Sequence, residues 1–187
     1  MRITGGKYLN RKIICPREDI RPAMDRMRES LFATLGDISE LAFLDLFSGS
    51  GVVGIEAASR GAEPVVLVEK DSKKKKIIRR NMSFVESAIV LHTTSVEMYI
   101  KRCKDLFDII YIDPPFSYHR KKGLLEAIAE RSLPEEGFKG SFGGILAAGG
   151  RVIIHHPAEE YLLEKIKALT LYDRRKYGRS ILSFYYV

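Results

Sequence analysis

The chain has 187 residues, of which 45% are hydrophobic and 29% charged, and this length and balance fit one globular domain rather than two. No apolar run approaches the ~20 residues that cross a bilayer, and the N-terminus lacks the apolar stretch of a signal peptide, so we expect no membrane contact. The formal net charge of +7 suits a polyanionic partner such as nucleic acid, although charge alone leaves the partner open.

The cysteines and histidines predict neither a disulfide nor a metal site. Cys15 and Cys103 lie far apart in the sequence, and we interpret both as small buried hydrophobic residues. A reducing, cytoplasmic location is therefore expected. The histidines form no pair with metal-ligand spacing. They are His92, His119, His155 and His156.

The first 36 residues are predicted to form an extension that precedes the core. Residues 1–15 favour short strands around Gly5 and Gly6, because a Gly-Gly pair is typical of a hairpin turn. A helix is predicted over residues 25–35, where apolar side chains recur at helical spacing. These side chains are Met24, Met27, Leu31 and Leu35.

From residue 37 onward, apolar strands alternate with helices, which is typical of β-α-β units and a parallel sheet. Strands are predicted at 42–47, 64–69, 88–92, 107–113 and 151–155. We interpret His155 and His156 as the terminus of the last strand, and a position at the border of the pocket is the alternative. Helices are predicted from the glycine-rich turn to Arg60 and at 72–84, 96–103, 119–131 and 159–169. Residues 134–144 favour a loop, followed by a weak helical turn before Gly149.

The last residues, 171–177 and 180–187, favour a closing antiparallel hairpin around Gly178. The fold class is therefore α/β and Rossmann-like, with about seven mostly parallel strands. We expect a single domain over residues 1–187, made of the extension 1–36 and a core over 37–187.

A glycine-rich segment between the first core strand and the helix after it favours a nucleoside cofactor. Gly49, Gly51 and Gly54 form a G-x-G-x-x-G pattern in the strand-turn-helix context that such sites require. Glu69 ends the next strand 20 residues after Gly49, where a carboxylate can accept hydrogen bonds from ribose hydroxyls. A solvated acid at a strand end is the alternative for Glu69.

The identity of the cofactor depends on Asp45. This acid interrupts an apolar strand, where an unpaired carboxylate would be costly, and a cationic ligand beside the glycine turn would compensate it. Asp45 therefore favours the amino or sulfonium end of S-adenosylmethionine and would repel the pyrophosphate of a dehydrogenase cofactor. The chain is also short for a dehydrogenase that needs a substrate domain.

The tetrapeptide Asp113-Pro-Pro-Phe116 ends the fourth strand, on the side of a parallel sheet where ligands bind. The two prolines fix the backbone, so that the Pro114 carbonyl and the Asp113 carboxylate offer two acceptors to one amino group. Phe116 offers a ring face to a base. This pattern favours methylation of an exocyclic amine through positioning. A rigid turn with a buried Phe is the alternative.

With both motifs placed, the chain resembles the RsmD-type family, bacterial methyltransferases that act on guanine N2 in 16S ribosomal RNA. The string Arg-Pro-x-x-Asp-Arg-x-Arg-Glu at 21–29 is the most specific element. The other matching segments are 2–6, 44–56, Glu69 and 113–116. The resemblance covers nearly the whole chain and implies a class I methyltransferase fold with S-adenosylmethionine as cofactor.

The resemblance also implies which residues form the site. Thr94 departs from the family, in which Asp or Asn usually contacts adenine at the position we align with it. The predicted cofactor-binding residues are Asp45, Phe47, Gly49, Ser50, Gly51, Glu69, Lys70, Thr94 and Ser95. The residues predicted to hold the guanine are Asp113, Pro114, Pro115 and Phe116.

Basic residues around the first helix are predicted to contact the phosphates of ribosomal RNA, either free or in an assembling small ribosomal subunit. The alternative is a solvated basic face with Asp25 and Glu29 as local partners. We interpret Lys73–Lys76 as such a face. The predicted RNA-binding residues are Arg11, Lys12, Arg21, Arg26 and Arg28.

The sequence therefore predicts a monomeric, metal-free enzyme that transfers a methyl group from S-adenosylmethionine to guanine N2 in 16S ribosomal RNA. One alternative is an amino-methyltransferase with another target, such as adenine in DNA or glutamine in protein. The other is a non-catalytic RNA-binding protein on a methyltransferase fold.

Overall fold

Two units make up the described part of the chain, Met1–Ser95 and Val96–Val187. The computed structural model describes residues 1–15, 23–132 and 144–187. The expected organisation as one domain, with a boundary between residues 36 and 37, stays a prediction.

The first unit contains a parallel sheet in which β2 lies between β1 and β3. The strands are β1 (Phe43–Leu46), β2 (Val65–Glu69) and β3 (Ile89–Thr93). All of β1 and all of β2 except Glu69 is buried. This burial explains why both strands are continuous apolar runs, since helices cover the faces of a parallel sheet.

The helices of the first unit follow the predicted pattern. They are α1 (Ala23–Leu35), α2 (Val52–Ser59) and α3 (Lys75–Met82). The predicted helix over 72–84 starts with a short 3₁₀ turn, Ser72–Lys74, which the Asp71 side chain caps by accepting the Lys73 N–H at 2.9 Å. Gly51, which has no Cβ and lies at φ 80°, provides the left-handed residue from which α2 begins.

The N-terminal segment differs from the predicted Gly-Gly hairpin. A single antiparallel bridge joins Arg2 to Lys12, and the chain reverses over residues 6–10, with Asn10 at φ 66°. A Cβ on Gly6 would lie 1.9 Å from the Ser59 carbonyl oxygen. The missing side chain therefore permits close approach to the end of α2 instead of a two-residue turn.

The second unit combines one parallel and several antiparallel strand pairings. Its helices are α4 (Val96–Arg102) and α5 (Lys121–Ala129). Its strands are β4 (Phe107–Ile112), β5 (Leu146–Pro157), β6 (Lys165–Ile166), β7 (Leu169–Tyr177) and β8 (Ser180–Tyr186). Within this unit the strand order is β4-β5-β8-β7-β6, with β4 and β5 parallel and the other pairs antiparallel. The predicted closing hairpin is confirmed as β7 and β8.

The helix predicted over 159–169 is wrong. Residues 165–166 and 169 onward form strands, and Lys167 turns the chain between them at φ 54°. Leu162, Ile166 and Leu169 are buried at a spacing that resembles one face of a helix. Ile166 and Leu169 belong to β6 and β7, and Leu162 lies in the irregular segment before β6. The described residues thus contain eight strands instead of about seven.

The weak helical turn predicted before Gly149 is also wrong, because β5 already begins at Leu146. Pairing with β4 jumps from Phe107–Leu146 to Ile109–Arg151, which leaves an irregular insertion in β5. Gly149 adopts φ 68° within it. A bulge of this kind interrupts the strand without ending it. The loop predicted over 134–144 lies almost entirely outside the described residues.

Among the described residues, every helix is too short or too polar to span a lipid bilayer.

Candidate functional site

Residues 47–51, here called the glycine loop, connect β1 to α2 in a tight turn, and three of their five residues have left-handed backbone conformations. Phe47, Gly49 and Gly51 adopt φ values of 66°, 56° and 80°. The Gly51 N–H donates to the Ser48 carbonyl at 2.7 Å and closes the turn. Left-handed backbone is uncommon for a phenylalanine, so the two glycines and Phe47 together define an unusual local conformation.

Glu69, at the end of β2, contacts the glycine loop directly. One carboxylate oxygen accepts the Gly49 N–H at 2.9 Å, and the other accepts the Asp71 N–H at 2.8 Å. Each carboxylate oxygen has two acceptor positions, so these bonds leave capacity for ribose hydroxyls. The spacing of 20 residues between Gly49 and Glu69 thus corresponds to a contact in space.

Asp45 is buried within β1, with 1% of its surface exposed. Its Oδ2 accepts the Gly54 N–H at 3.0 Å, in the first turn of α2. A Cβ on Gly54 would lie 2.1 Å from the Leu67 side chain, so the third glycine of the motif lets α2 pack on the sheet. Asp45 therefore also fixes α2, and its contact with a cationic cofactor stays a prediction.

Asn81 on α3 is a residue that the sequence reasoning missed. Its buried amide bonds the backbone N–H and carbonyl of Ile14 at 3.0 and 2.8 Å, and it donates to the Ser50 carbonyl at 2.9 Å. Asn81 therefore ties the N-terminal segment to the glycine loop. Nothing in the sequence around an asparagine on a basic helix indicates partners 67 and 31 positions away.

The remaining predicted cofactor residues lie beside the ends of β2 and β3. Lys70 is exposed, whereas Thr94 and Ser95 are partly buried. The Thr94 N–H donates to the Glu69 carbonyl at 3.2 Å. All nine predicted cofactor residues thus belong to the first unit and cluster at the carboxyl ends of its strands, where parallel sheets bind ligands.

Residues 113–118 of the second unit, here called the acidic loop, follow β4. Asp113 Oδ1 lies 2.6 Å from His155 Nδ1, and the Tyr111 hydroxyl lies 3.5 Å from Asp113 Oδ2. The Phe116 ring packs edge-on against the His155 ring, with 5.4 Å between centroids. Pro114 is buried, Pro115 is exposed and Phe116 is half-buried.

The sequence interpretation of His155 as a strand end was incomplete. The parallel register pairs Ile112 with Ile154, so Asp113 and His155 follow at neighbouring positions of β4 and β5. A correct register between the two predicted strands would have revealed this contact.

Lys121 is a second residue that the sequence reasoning missed. It is 1% exposed, and its ammonium donates to the Tyr118 carbonyl at 2.7 Å and the Phe116 carbonyl at 3.3 Å. The Glu160 carboxylate lies 2.8 Å from the Lys121 ammonium, and this ion pair balances the charge of the lysine. The Tyr118 N–H also donates to the Pro115 carbonyl at 2.8 Å. These bonds fix the acidic loop, since a buried lysine is stable only with such partners.

Three predicted RNA-binding residues of the first unit are exposed: Arg11, Lys12 and Arg26. The Arg11 guanidinium stacks over the Phe84 ring, 4.2 Å from its centroid. Arg21 lies outside the described residues. Exposure of the other three is compatible with phosphate contacts.

Arg28 does not fit its predicted role in RNA binding. It is 3% exposed, and its guanidinium donates to Glu56 at 2.5 Å, to the Arg2 carbonyl at 2.5 Å and to Asp25 at 3.1 Å. A guanidinium enclosed in this way cannot reach a phosphate without breaking a buried ion pair. Its role is structural, because Glu56 is itself fully buried.

Glu56 is the centre of this ionic network. Besides Arg28, it accepts from the Thr4 N–H at 3.2 Å, from the Thr4 hydroxyl, and from the Arg60 guanidinium at 2.8 Å. The Thr4 contacts attach the N-terminal segment to α2. A buried glutamate inside an otherwise apolar helix was a signal that the sequence reasoning did not use.

Within residues 1–15, 23–132 and 144–187, no cluster of three or more His, Cys, Asp or Glu side chains could hold a metal ion.

Comparison with known families gives a match along almost the whole chain. The family model described as Conserved hypothetical protein 95 matches residues 1–186. YlbH of Bacillus subtilis (strain 168), whose name proposes an rRNA methyltransferase, is 28% identical over 99% of this chain and 98% of its own length. Ribosomal RNA small subunit methyltransferase D of Escherichia coli (strain K12) is 34% identical over 67% of this chain and 63% of its own length.

Solved structures show the same fold over the full length. The Escherichia coli protein yhhF, described as a candidate methyltransferase, superposes with a TM-score of 0.81 at 24% identity, over 100% of this chain and 97% of that chain. A hypothetical protein of Thermus thermophilus gives a TM-score of 0.78 at 30% identity, over 98% of both chains. The predicted α/β, Rossmann-like fold with an antiparallel C-terminal hairpin is thereby confirmed.

Proposed function

Because the chain belongs to the Conserved hypothetical protein 95 family of RsmD-type methyltransferases, we propose that it methylates the N2 amine of a guanine in 16S ribosomal RNA with S-adenosylmethionine as donor. The observation that carries this proposal is the acidic loop. It holds one carboxylate at a fixed position beside a half-buried aromatic ring.

The glycine loop supports S-adenosylmethionine as the cofactor. The Gly49 N–H of this left-handed loop donates to the Glu69 carboxylate at the end of β2. The loop therefore lies beside the acid that would accept hydrogen bonds from the ribose hydroxyls of a nucleoside. We assign Asp45, Gly49, Gly51 and Glu69 to its binding. When bound, the cofactor supplies an electrophilic methyl group on a sulfonium.

The acidic loop supports an amine as the acceptor. We propose that the Asp113 carboxylate and the Pro114 carbonyl each accept one N–H of the amino group. Two such bonds favour a more tetrahedral and more nucleophilic nitrogen, whose lone pair is otherwise delocalised into the ring. In-line attack would form the N–C bond while the sulfonium S–C bond breaks, with S-adenosylhomocysteine as the leaving group. The methylated ammonium is acidic and would lose its extra proton to solvent, so no strong base is needed before attack. Positioning then provides most of the acceleration.

Phe116 and the exposed basic residues of the first unit support RNA as the substrate. The Phe116 ring offers a flat apolar face on which the target base would stack. Arg11, Lys12 and Arg26 are exposed and would contact phosphates, together with Arg21 on the basis of sequence. Arg28 is left out of this group because of its burial. The proposed substrate also places the protein in the cytoplasm.

Transfer of labelled methyl groups tests this proposal. The purified chain is incubated with labelled S-adenosylmethionine and either undermethylated 16S ribosomal RNA or small-subunit particles, and the labelled nucleotide is identified by mass spectrometry. We expect N2-methylguanine. Adenine-containing DNA and a glutamine-containing protein serve as competing substrates. Cofactor binding by calorimetry without any transfer to RNA would contradict the proposal.

A further inference from the structure

We propose that His155 is a positioning residue for the methyl transfer, because its Nδ1–H holds the Asp113 carboxylate in the orientation that receives the substrate amine. This inference rests on the proposed function. It adds to the acidic loop a residue from another strand, β5.

The contact between the two side chains is short and enclosed. His155 Nδ1 lies 2.6 Å from Asp113 Oδ1, and the two side chains are 9% and 23% exposed. A carboxylate oxygen only accepts, so the imidazole carries its proton on Nδ1 and donates it. Hydrogen bonds to an ionised acceptor in a partly enclosed site are short and strong, and they fix orientation well.

The rest of the ring environment prevents His155 from turning away. Its backbone lies within β5 and pairs with Leu182 of β8. The Phe116 ring contacts one side of the imidazole at an interplanar angle of 67°. His155 therefore joins the carboxylate and the aromatic ring that we assign to the same guanine.

The bond to His155 leaves the second carboxylate oxygen for substrate. The Tyr111 hydroxyl lies 3.5 Å from Asp113 Oδ2, at the long limit for a hydrogen bond. Oδ1 is thus held by the histidine, while Oδ2 keeps acceptor capacity for an amine N–H. Oδ1 therefore anchors the carboxylate, and Oδ2 is available to accept a hydrogen bond from the substrate amine.

The neighbouring histidine shows what a fully structural role looks like. His156 bonds through both ring nitrogens, to the Pro157 carbonyl at 3.0 Å and the Ser183 hydroxyl at 2.8 Å. By contrast, Nε2 of His155 is buried and has no hydrogen-bond partner within the described ranges. A buried ring nitrogen without a hydrogen-bond partner costs folding free energy. Within the described residues, the ring of His155 thus forms its hydrogen bond with Asp113 alone.

Three substitutions at position 155 separate the possible roles. Asn places an amide N–H near the position of Nδ1 and keeps the bond to Asp113, whereas Gln places its amide near the position of Nε2. Leu removes both. His156→Gln is the matched control for general damage to β5, and thermal unfolding verifies that each variant is folded.

We expect His155→Gln and His155→Leu to lower kcat about 10- to 100-fold, as loss of an orienting hydrogen bond does elsewhere, while the Kd for S-adenosylmethionine and the KM for RNA change little. His155→Asn should retain most of the activity. Equal activity of all three variants would overturn the inference. Retention by Gln with loss in Asn would overturn it as well, because Nε2 would then be the working atom.

Two further measurements keep this inference distinct from the proposed function. In an Asp113→Ala background, His155→Leu should cause no additional loss of kcat, because His155 acts only through the Asp113 carboxylate, which this background already lacks. Nitrogen-15 NMR should find the Nδ1-protonated tautomer of His155 in the wild-type protein, and the Nε2-protonated tautomer would contradict the inference. Failure of wild-type transfer to RNA with the expected tautomer present would refute the proposed function alone.

Discussion

The glycine loop and the acidic loop hold their carboxylates in different ways. In the first unit, Glu69 and Asp45 accept backbone N–H groups of the glycine loop and of α2. In the second unit, Asp113 contacts the side chain of a residue 42 positions later. Backbone donors follow from the local glycine pattern, whereas side-chain donors depend on strand register. The sequence therefore indicates both carboxylate motifs, but it does not indicate the His155 partner of Asp113, which only the pairing of β4 with β5 brings close.

The two units also differ in how completely a carboxylate is enclosed, as Glu56 of α2 and Asp113 of the acidic loop show. Glu56 is fully buried and accepts from Thr4, Arg28 and Arg60. Asp113 is 23% exposed and has one short contact. A fully satisfied buried network stabilises the fold, whereas a carboxylate with spare acceptor capacity is available to a ligand. The following substitutions test that distinction.

Arg28→Ala should produce the largest loss of stability. It leaves the Glu56 carboxylate buried with fewer donors, and breaking a buried ion pair typically costs about 3–5 kcal/mol. Urea unfolding followed by circular dichroism measures the change. Arg26→Ala, two positions away on the exposed face of α1, is the matched control and should alter stability little. Equal effects of both would show that the network is not stabilising.

Asp113→Ala should lower turnover about 100- to 1000-fold, as removal of a polar group that acts on the transition state does in other enzymes. The Kd for S-adenosylmethionine should stay close to the wild-type value, because we place Asp113 at the amine. Steady-state kinetics and calorimetry measure the two quantities. Parallel losses of turnover and cofactor affinity would refute the proposed role.

Gly54→Ala should destabilise the first unit by about 1–3 kcal/mol, because the new Cβ would meet the Leu67 side chain at 2.1 Å. Gly123→Ala on α5 is the control, since a Cβ there meets no atom within 4 Å. Thermal unfolding compares the two variants. If Gly54→Ala is as stable as Gly123→Ala, the third glycine is not required for packing.

Phe116→Ala should reduce kcat/KM for RNA by an amount equivalent to about 1–3 kcal/mol, the usual contribution of one base stacked on an aromatic ring. Phe116→Tyr should keep most of the activity, because the ring face is preserved. Single-turnover transfer to RNA measures both variants. An active Ala variant would show that the ring only fills the turn.

Arg26→Ala should have the smallest effect, a weaker RNA affinity with a salt dependence whose logarithmic slope falls by about 1. Binding is measured by fluorescence anisotropy over a range of salt concentrations. An unchanged slope would assign Arg26 to the solvated basic face instead.

The sequence predicted those parts of the molecule whose causes are local. Apolar runs located β1, β2 and β4 to within one or two residues, and the glycine spacing located the loop before α2. The helix predicted over 159–169 was wrong because Leu162, in an irregular segment, Ile166 of β6 and Leu169 of β7 are buried at a spacing that imitates helical periodicity. The predicted Gly-Gly hairpin was wrong because Gly6 is required for a different reason: its missing side chain lets the backbone lie close to the Ser59 carbonyl.

The residues that the sequence did not indicate have partners far along the chain. Lys121 pairs with Glu160, Asn81 with Ile14, and His155 with Asp113. Arg28 was misassigned for the same reason, since its partner Glu56 lies on another helix. A charged residue in a basic segment is typical of an exposed surface, and only the contact between Arg28 of α1 and Glu56 of α2 reveals that this guanidinium is enclosed.

The three hydrogen bonds of Asn81 have a practical consequence for truncated versions of the protein. Removal of the first fifteen residues would take away two of the three partners of this amide and leave the group enclosed with one. The same deletion would remove Thr4 from the Glu56 carboxylate, and it would uncover Val52 and Ile55 of α2, which pack in one buried apolar cluster with Ile3 and Ile13. A fragment that begins at residue 16 would therefore bind cofactor poorly for reasons unrelated to RNA, and shortened chains are unsuitable for assigning the N-terminal segment to substrate recognition.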